Sequence, residues 1–217
     1  DDPKAMAGCD LVIEAVFEDP SLKDIVTCST EAVLSADKVY ASNTSTIPIT
    51  LLAKSSQRPE QFIGIHFFSP VDKMPLVEII VGEKTEAKAI AAAVDYTVAI
   101  GKVPIVVNDS RGFYTSRCFG TFASEGIFML EEGVPAAMVE NVAKAKGMPV
   151  GPLAVTDEVT LTLGMHVYES DPSPNKAPYQ TRMYEIQKNL VNNHERKGKK
   201  WSKGFYDYPE GGKKKLW

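Results

Sequence analysis

The stretch Asp10-Leu-Val-Ile-Glu-Ala-Val-Phe17, followed at once by Asp19-Pro20-Ser21, decides how the chain is read. A short, mostly apolar run rich in β-branched residues is too brief for a buried helix and fits a strand covered on both faces. Asp19 then offers a side-chain oxygen to the free N–H groups of a helix start. Pro20 suits the first turn, where its missing N–H costs nothing. The spacing predicts a helix from there to about Leu34. The same alternation continues outward. Lys38–Asn43 is a second strand ending in small polar residues, and Ile47–Lys54 is a short helix. Phe62–Phe68 and Pro75–Val81 are the third and fourth strands. Thr85–Ile100 is Ala-rich with apolar residues at helical spacing, Gly101 stops it, and Lys102–Asn108 is a fifth strand. Strands and helices in alternation imply an α/β architecture with a mainly parallel, doubly wound sheet.

After Asp109 the pattern changes. Arg111–Glu132 is one long amphipathic helix closed by Gly133, and Pro135–Lys146 is another closed by Gly147. Leu153–Glu169 and Pro178–Asn193 continue the helical period. The boundary falls near residue 109, giving a sheet domain over residues 1–108 and an all-α domain over 109–217. No Gly-x-Gly-x-x-Gly occurs, although a doubly wound sheet normally opens with that phosphate-binding turn, and little precedes the first strand. The expectation is a piece of a longer protein, holding the second half of a nucleotide-binding domain and then a helical domain.

Composition narrows the function classes. The 217 residues are 44% apolar and 24% charged, with a net charge of −4, which disfavours nucleic acid as a partner. No apolar run is long enough for a membrane span. Cys9, Cys28 and Cys118 are far apart and odd in number, which argues against a disulfide scaffold or a Cys-rich zinc site and for a reducing compartment. No HExxH, CxxC or carboxylate cluster points to a metal. No Gly-x-Ser-x-Gly elbow points to serine hydrolysis. His166 reads as a packed helical histidine, and His194 as a cation at a helix end. The segment His194–Lys215 holds eight Lys/Arg against three acids. It reads as a solvated end, or as a site for the phosphates of a nucleotide or of coenzyme A.

His66 and Glu78 each sit in an apolar strand, and a bend at residue 72 would leave them symmetric and facing each other. A carboxylate within Leu76-Val77-Glu78-Ile79-Ile80 is costly to bury unless paired, and an imidazole is the nearest partner. Such a pair orients the ring and raises its basicity, as a general base needs. The alternative is a core histidine with a local hydrogen bond and an edge glutamate at the solvent. Asn43-Thr44-Ser45-Thr46 follows the carboxyl end of a strand, where open α/β sheets bind ligands. Its hydroxyls suit a ribose or substrate oxygen, or else cap the helix from Ile47. Glu18 and Lys23, taken alone, read as an exposed surface pair.

Asp10-Leu-Val-Ile-Glu-Ala-Val-Phe-Glu-Asp19, Ala41-Ser-Asn-Thr-Ser-Thr46, Gly64-Ile-His-Phe-Phe-Ser-Pro-Val71, Pro75-Leu-Val-Glu78 and Arg111-Gly-Phe-Tyr-Thr-Ser-Arg117 resemble the L-3-hydroxyacyl-CoA dehydrogenase family. Gly147-Met-Pro-Val-Gly-Pro152 with Asp157-Glu158-Val159 extends the likeness, and the wording is closest to the dehydrogenase region of multifunctional β-oxidation enzymes of the trifunctional α-subunit type. The resemblance implies a Rossmann-type NAD-binding domain and oxidation of an L-3-hydroxyacyl-CoA thioester in fatty-acid β-oxidation, with NAD as cofactor. It implies a catalytic pair of His66 and Glu78. Ser45 would touch substrate oxygen and cofactor ribose, Glu18 and Lys23 would lie near the nicotinamide-side ribose, and Asn43 and Ala15 would line the same cleft. Ser69 and Ser116 stand where the single-function enzyme carries Asn. Ser69 would meet the cofactor, and Ser116 the substrate, through a bridging water because it reaches less far. Lys200 matches a tail lysine that approaches the cofactor. The helical domain would pack against another copy or against a second helical repeat. The compartment would be bacterial cytoplasm, mitochondrial matrix or peroxisome. Two alternatives remain: a related short-chain hydroxyacid dehydrogenase, and a non-catalytic module that binds CoA or NAD or serves assembly.

Overall fold

The computed structural model describes residues 3–217. The chain forms two compact units, one running to Arg117 and one from Cys118 to Trp217. The first contains β1 (Leu11–Glu14), α1 (Pro20–Glu31), β2 (Val39–Ser42), α2 (Ile49–Leu52), β3 (Phe62–Phe67), β4 (Leu76–Val81), α3 (Ala87–Ala99) and β5 (Val103–Asn108). They build one five-stranded sheet in the order β1-β2-β3-β4-β5. Only β3 and β4 run antiparallel; the other neighbours are parallel. Asp19 caps α1 by accepting from the Leu22 N–H at 2.8 Å, worth about 1 kcal/mol. Along β2, Val39 and Ala41 enter one apolar cluster with Ile63, Ile65, Val77 and Ile79. Tyr40 enters the other with Ile49, Leu52, Phe62 and Phe113. That period of two is the mark of a strand buried on both faces. β1 is shorter than the apolar run suggested. The Glu14 carboxylate turns back to accept from the Val16 N–H at 3.0 Å, and the chain leaves the sheet there. The helix expected from Arg111 starts late as well. Gly112 and Phe113 adopt left-handed conformations (φ 72° and 48°), and α4 (Thr115–Glu131) begins only after that turn.

The second unit continues along α4 and adds α5 (Ala136–Ala145), α6 (Pro152–Val159), α7 (Leu161–Glu169), α8 (Pro178–His194) and a small hairpin of β6 (Tyr206–Asp207) and β7 (Lys215–Leu216). The single helix expected over 153–169 is two. Thr160, at φ 75°, breaks it, and its hydroxyl accepts from the Leu163 N–H at 3.2 Å to start the next helix. Ile127, Val139, Leu153, Leu161, Leu190, Phe205 and Tyr206 form the core.

The basic tail is not simply a solvated end. Arg196 is buried at 4% exposure. It donates to the Gly204 carbonyl and to Asp207, and its guanidinium lies 4.4 Å from the Trp217 ring centroid. Lys213, Lys214 and Lys215 stay exposed. The hairpin is pinned by Asp157, fully buried, which accepts from the N–H groups of Phe205 (2.7 Å) and Tyr206 (2.9 Å) and from the Tyr208 hydroxyl (2.9 Å). Burial pushes the Asp157 carboxyl above its ordinary range, against the pull of these donors and of Arg196. A Cβ on Gly204 would overlap that carboxylate. Gly204→Ala is therefore expected to destabilise the second unit by about 2–3 kcal/mol. Trp201 and Trp217, the only tryptophans, report this unit by fluorescence during chemical denaturation. An unshifted midpoint would remove Asp157 as the pin.

Candidate active site

β3 and β4 pair so that His66 stands directly opposite Glu78. The imidazole Nδ1 lies 3.0 Å from Glu78 Oε2, with His66 at 7% exposure and Glu78 at 0%. The other contacts of the carboxylate come from the turn into α4. Oε1 accepts the N–H groups of Tyr114 (2.9 Å) and Thr115 (3.0 Å), and Oε2 also accepts the Thr115 hydroxyl at 2.6 Å. Two of these donors are among the free N–H groups that every helix start presents. Burial alone would raise the Glu78 carboxyl, but the bonds from His66, Thr115 and Tyr114 outweigh it and hold it below the ordinary carboxylate range. Glu78 is therefore ionised and accepts only. Nδ1 must carry the hydrogen that fills its share of Oε2, which assigns the tautomer from the network and leaves Nε2 with its lone pair. No hydrogen bond engages Nε2 among the described residues. The rings of Phe68 (4.5 Å between centroids) and Phe113 (6.1 Å) pack around the imidazole.

A second constellation stands at the carboxyl ends of β1 and β2. Glu18 Oε1 accepts from the Thr44 hydroxyl (2.6 Å), from the N–H groups of Ser45 and Thr46 (3.1 Å each) and from the Thr46 hydroxyl (3.1 Å). Burial works against its charge, but the Thr44 bond, the Lys23 ammonium and these N–H groups together lower its pKa. Glu18 thus fixes the loop that presents Ser45, whose own hydroxyl has no hydrogen bond among the described residues. The Asn43 side-chain oxygen accepts from the Phe67 N–H at 2.8 Å and ties the ends of β2 and β3 together. Ser116 donates to the Ser45 carbonyl at 3.3 Å, so these two candidates are adjacent.

The exposed surface pair of Glu18 and Lys23 is not what the structure holds. Lys23 is 2% exposed. Its main partner is Glu14, at 2.9 and 3.0 Å, with Glu18 Oε2 at 3.5 Å. Glu14 also accepts from the Ser42 hydroxyl, so one buried ammonium organises two carboxylates at the end of β1. Ala15 is exposed just past β1, and Ser69 is exposed on the loop between β3 and β4. Lys200 belongs to the second unit, with its ammonium 5.4 Å from the Trp201 ring centroid. Sequence reasoning missed Thr115, Glu14 and Ser42. The only signals were a hydroxyl at a helix start and a carboxylate inside an apolar strand.

An imidazole with one unengaged nitrogen and a buried carboxylate partner thus stands at the carboxyl end of β3. Residues 1–110 match the NAD-binding domain of 3-hydroxyacyl-CoA dehydrogenase, and residues 112–208 match its C-terminal domain. The solved (S)-3-hydroxybutyryl-CoA dehydrogenase PaaH1 of Ralstonia eutropha is 32% identical, with a TM-score of 0.85 over 95% of this chain and 73% of that one. FadB2 of M. tuberculosis is 31% identical, with a TM-score of 0.80 over 96% and 74%. The dehydrogenase part of multifunctional enzyme 1 from C. elegans is 25% identical, with a TM-score of 0.62 over 98% and 48%. The chain belongs to the 3-hydroxyacyl-CoA dehydrogenase family, whose members are NAD-dependent oxidoreductases. Among the described residues no helix is long and apolar enough to cross a membrane.

Proposed function

We propose that the protein oxidises L-3-hydroxyacyl-CoA thioesters to 3-oxoacyl-CoA as a step of fatty-acid β-oxidation in a reducing compartment, with His66 as general base. The observation that carries this reading is the unengaged Nε2 of an imidazole whose Nδ1–H is held by an ionised, buried Glu78. Nε2 takes the proton of the substrate's 3-hydroxyl, and Glu78 stabilises the imidazolium that forms. NAD⁺, when bound, supplies the acceptor for the hydride that leaves C3.

The residues at the sheet edge fit such a cofactor. Glu18 presents a carboxylate with its side chain 27% exposed, Ser45 an unengaged hydroxyl and Asn43 an amide N–H₂. With Ala15 and Ser69 they would hold the ribose and nicotinamide side. Lys23, buried and bound mainly to Glu14, supports Glu18 from 3.5 Å, and Lys200 matches the tail lysine of the family pattern. Ser45 and Ser116 would meet the thioester, Ser116 through water. The NAD-binding domain spans 1–108 and the helical domain 109–217, the latter packing against a second copy or a further helical repeat.

The test supplies the full-length protein with NAD⁺ and either enantiomer of 3-hydroxybutyryl-CoA. NADH is expected from the L form only, and equal turnover of both would sink the assignment. Rates on four-carbon and sixteen-carbon thioesters then separate a β-oxidation enzyme from a short-chain hydroxyacid dehydrogenase.

A further inference from the structure

We infer that Thr115 is a positioning residue that sets the basicity of His66 through the carboxylate oxygen the two share. The inference deepens the proposed function and rests on its reading of His66 as the base. Glu78 Oε2 takes the Thr115 hydroxyl at 2.6 Å and the imidazole Nδ1 at 3.0 Å, so the shorter bond belongs to the threonine. Both donors draw on the same negative charge. What the hydroxyl takes is not available to an imidazolium formed at Nδ1. Thr115 also gives its backbone N–H to Oε1, so one residue grips both oxygens and fixes the plane of the carboxylate.

The surroundings leave few competing influences. On β5 the register partner of Glu78 is Ile105. The aromatic neighbours of the imidazole are Phe68 and Phe113, both uncharged. The donors to Glu78 are His66 from β3, and Thr115 with the Tyr114 N–H from the start of α4. Within this set, the Thr115 hydroxyl is the one contact that a near-isosteric substitution can remove without disturbing the backbone bonds.

Thr115→Val leaves more of the carboxylate's charge on Nδ1–H and favours the imidazolium. A base must be neutral to accept a proton, so the acid limb of kcat/KM for oxidation moves to higher pH. The expected shift is about half to one pH unit, the worth of one hydrogen bond to a charged group shared between two protonation states. Thr115→Ser keeps the hydroxyl and should hold the limb near its original place. Thr115→Ala is a second hydroxyl-free variant expected to shift like Thr115→Val.

The experiment measures kcat/KM against pH for the full-length protein on L-3-hydroxybutyryl-CoA, and titrates the His66 imidazole by NMR, its signal assigned by its loss in His66→Gln. An unmoved titration in Thr115→Val and Thr115→Ala, or an equal shift in Thr115→Ser, overturns the role of Thr115 whatever His66→Gln does to turnover. A titration that moves up in the two hydroxyl-free variants and not in Thr115→Ser supports it, even if His66→Gln stays active and the reading of His66 as base falls.

Discussion

Replacing His66 by Gln is expected to lower kcat for acetoacetyl-CoA reduction in the full-length protein by about 10²–10⁴, the usual worth of a positioned acid or base. The substitution isolates the chemistry. A glutamine amide can still donate to Glu78, which otherwise would be a buried carboxylate short of one partner. What it cannot do is bind and release a proton near neutral pH. The fold should therefore survive while the proton loses its carrier. An unchanged kcat would remove His66 from the mechanism.

Glu78→Gln is expected to act through the same ring without touching substrate. Oε1 faces two backbone N–H groups that can only donate, so the amide oxygen of a glutamine must occupy that side. Its N–H₂ is then left facing Nδ1 and the Thr115 hydroxyl. Nδ1 must turn acceptor, the hydrogen moves to Nε2, and the atom that should receive the substrate proton is already protonated. The expected loss in kcat is about 10²–10⁴, as for other carboxylates that fix a catalytic tautomer, with the KM for substrate nearly constant. A large rise in KM at constant kcat would instead mark Glu78 as a binding residue.

The His66–Glu78 juxtaposition was legible because an antiparallel ladder pairs residues equidistant from its bend, and the Ser69–Lys73 stretch placed that bend near residue 72. The cap at Asp19 was legible because capping is local. Lys23 was misread for the opposite reason. Its sequence neighbour is Glu18, but packing of α1 on β1 delivers it to Glu14. Thr115 reaches Glu78 only after the left-handed turn at Gly112 and Phe113 brings α4 to the end of the sheet, and no spacing encodes that. The break at Thr160 was hidden because the apolar period runs through it unchanged. The tail looked solvated because its anchor Asp157 lies far from it in sequence, and because Arg196 meets Asp207 and Trp217 only once the hairpin folds back on it.

The stretch over residues 70–75 does not set the spacing of His66 and Glu78. Ladder bonds between β3 and β4 hold position 66 against position 78, while Lys102 grips the loop from outside through the Val71 and Met74 carbonyls. Insertions in that loop leave the couple assembled. Deleting one residue inside β4, such as Val77, exchanges the two sides of everything around it, so that Ile79 inherits the place of the carboxylate. Grafting therefore has latitude in the loop beyond Ser69 and none within the strands.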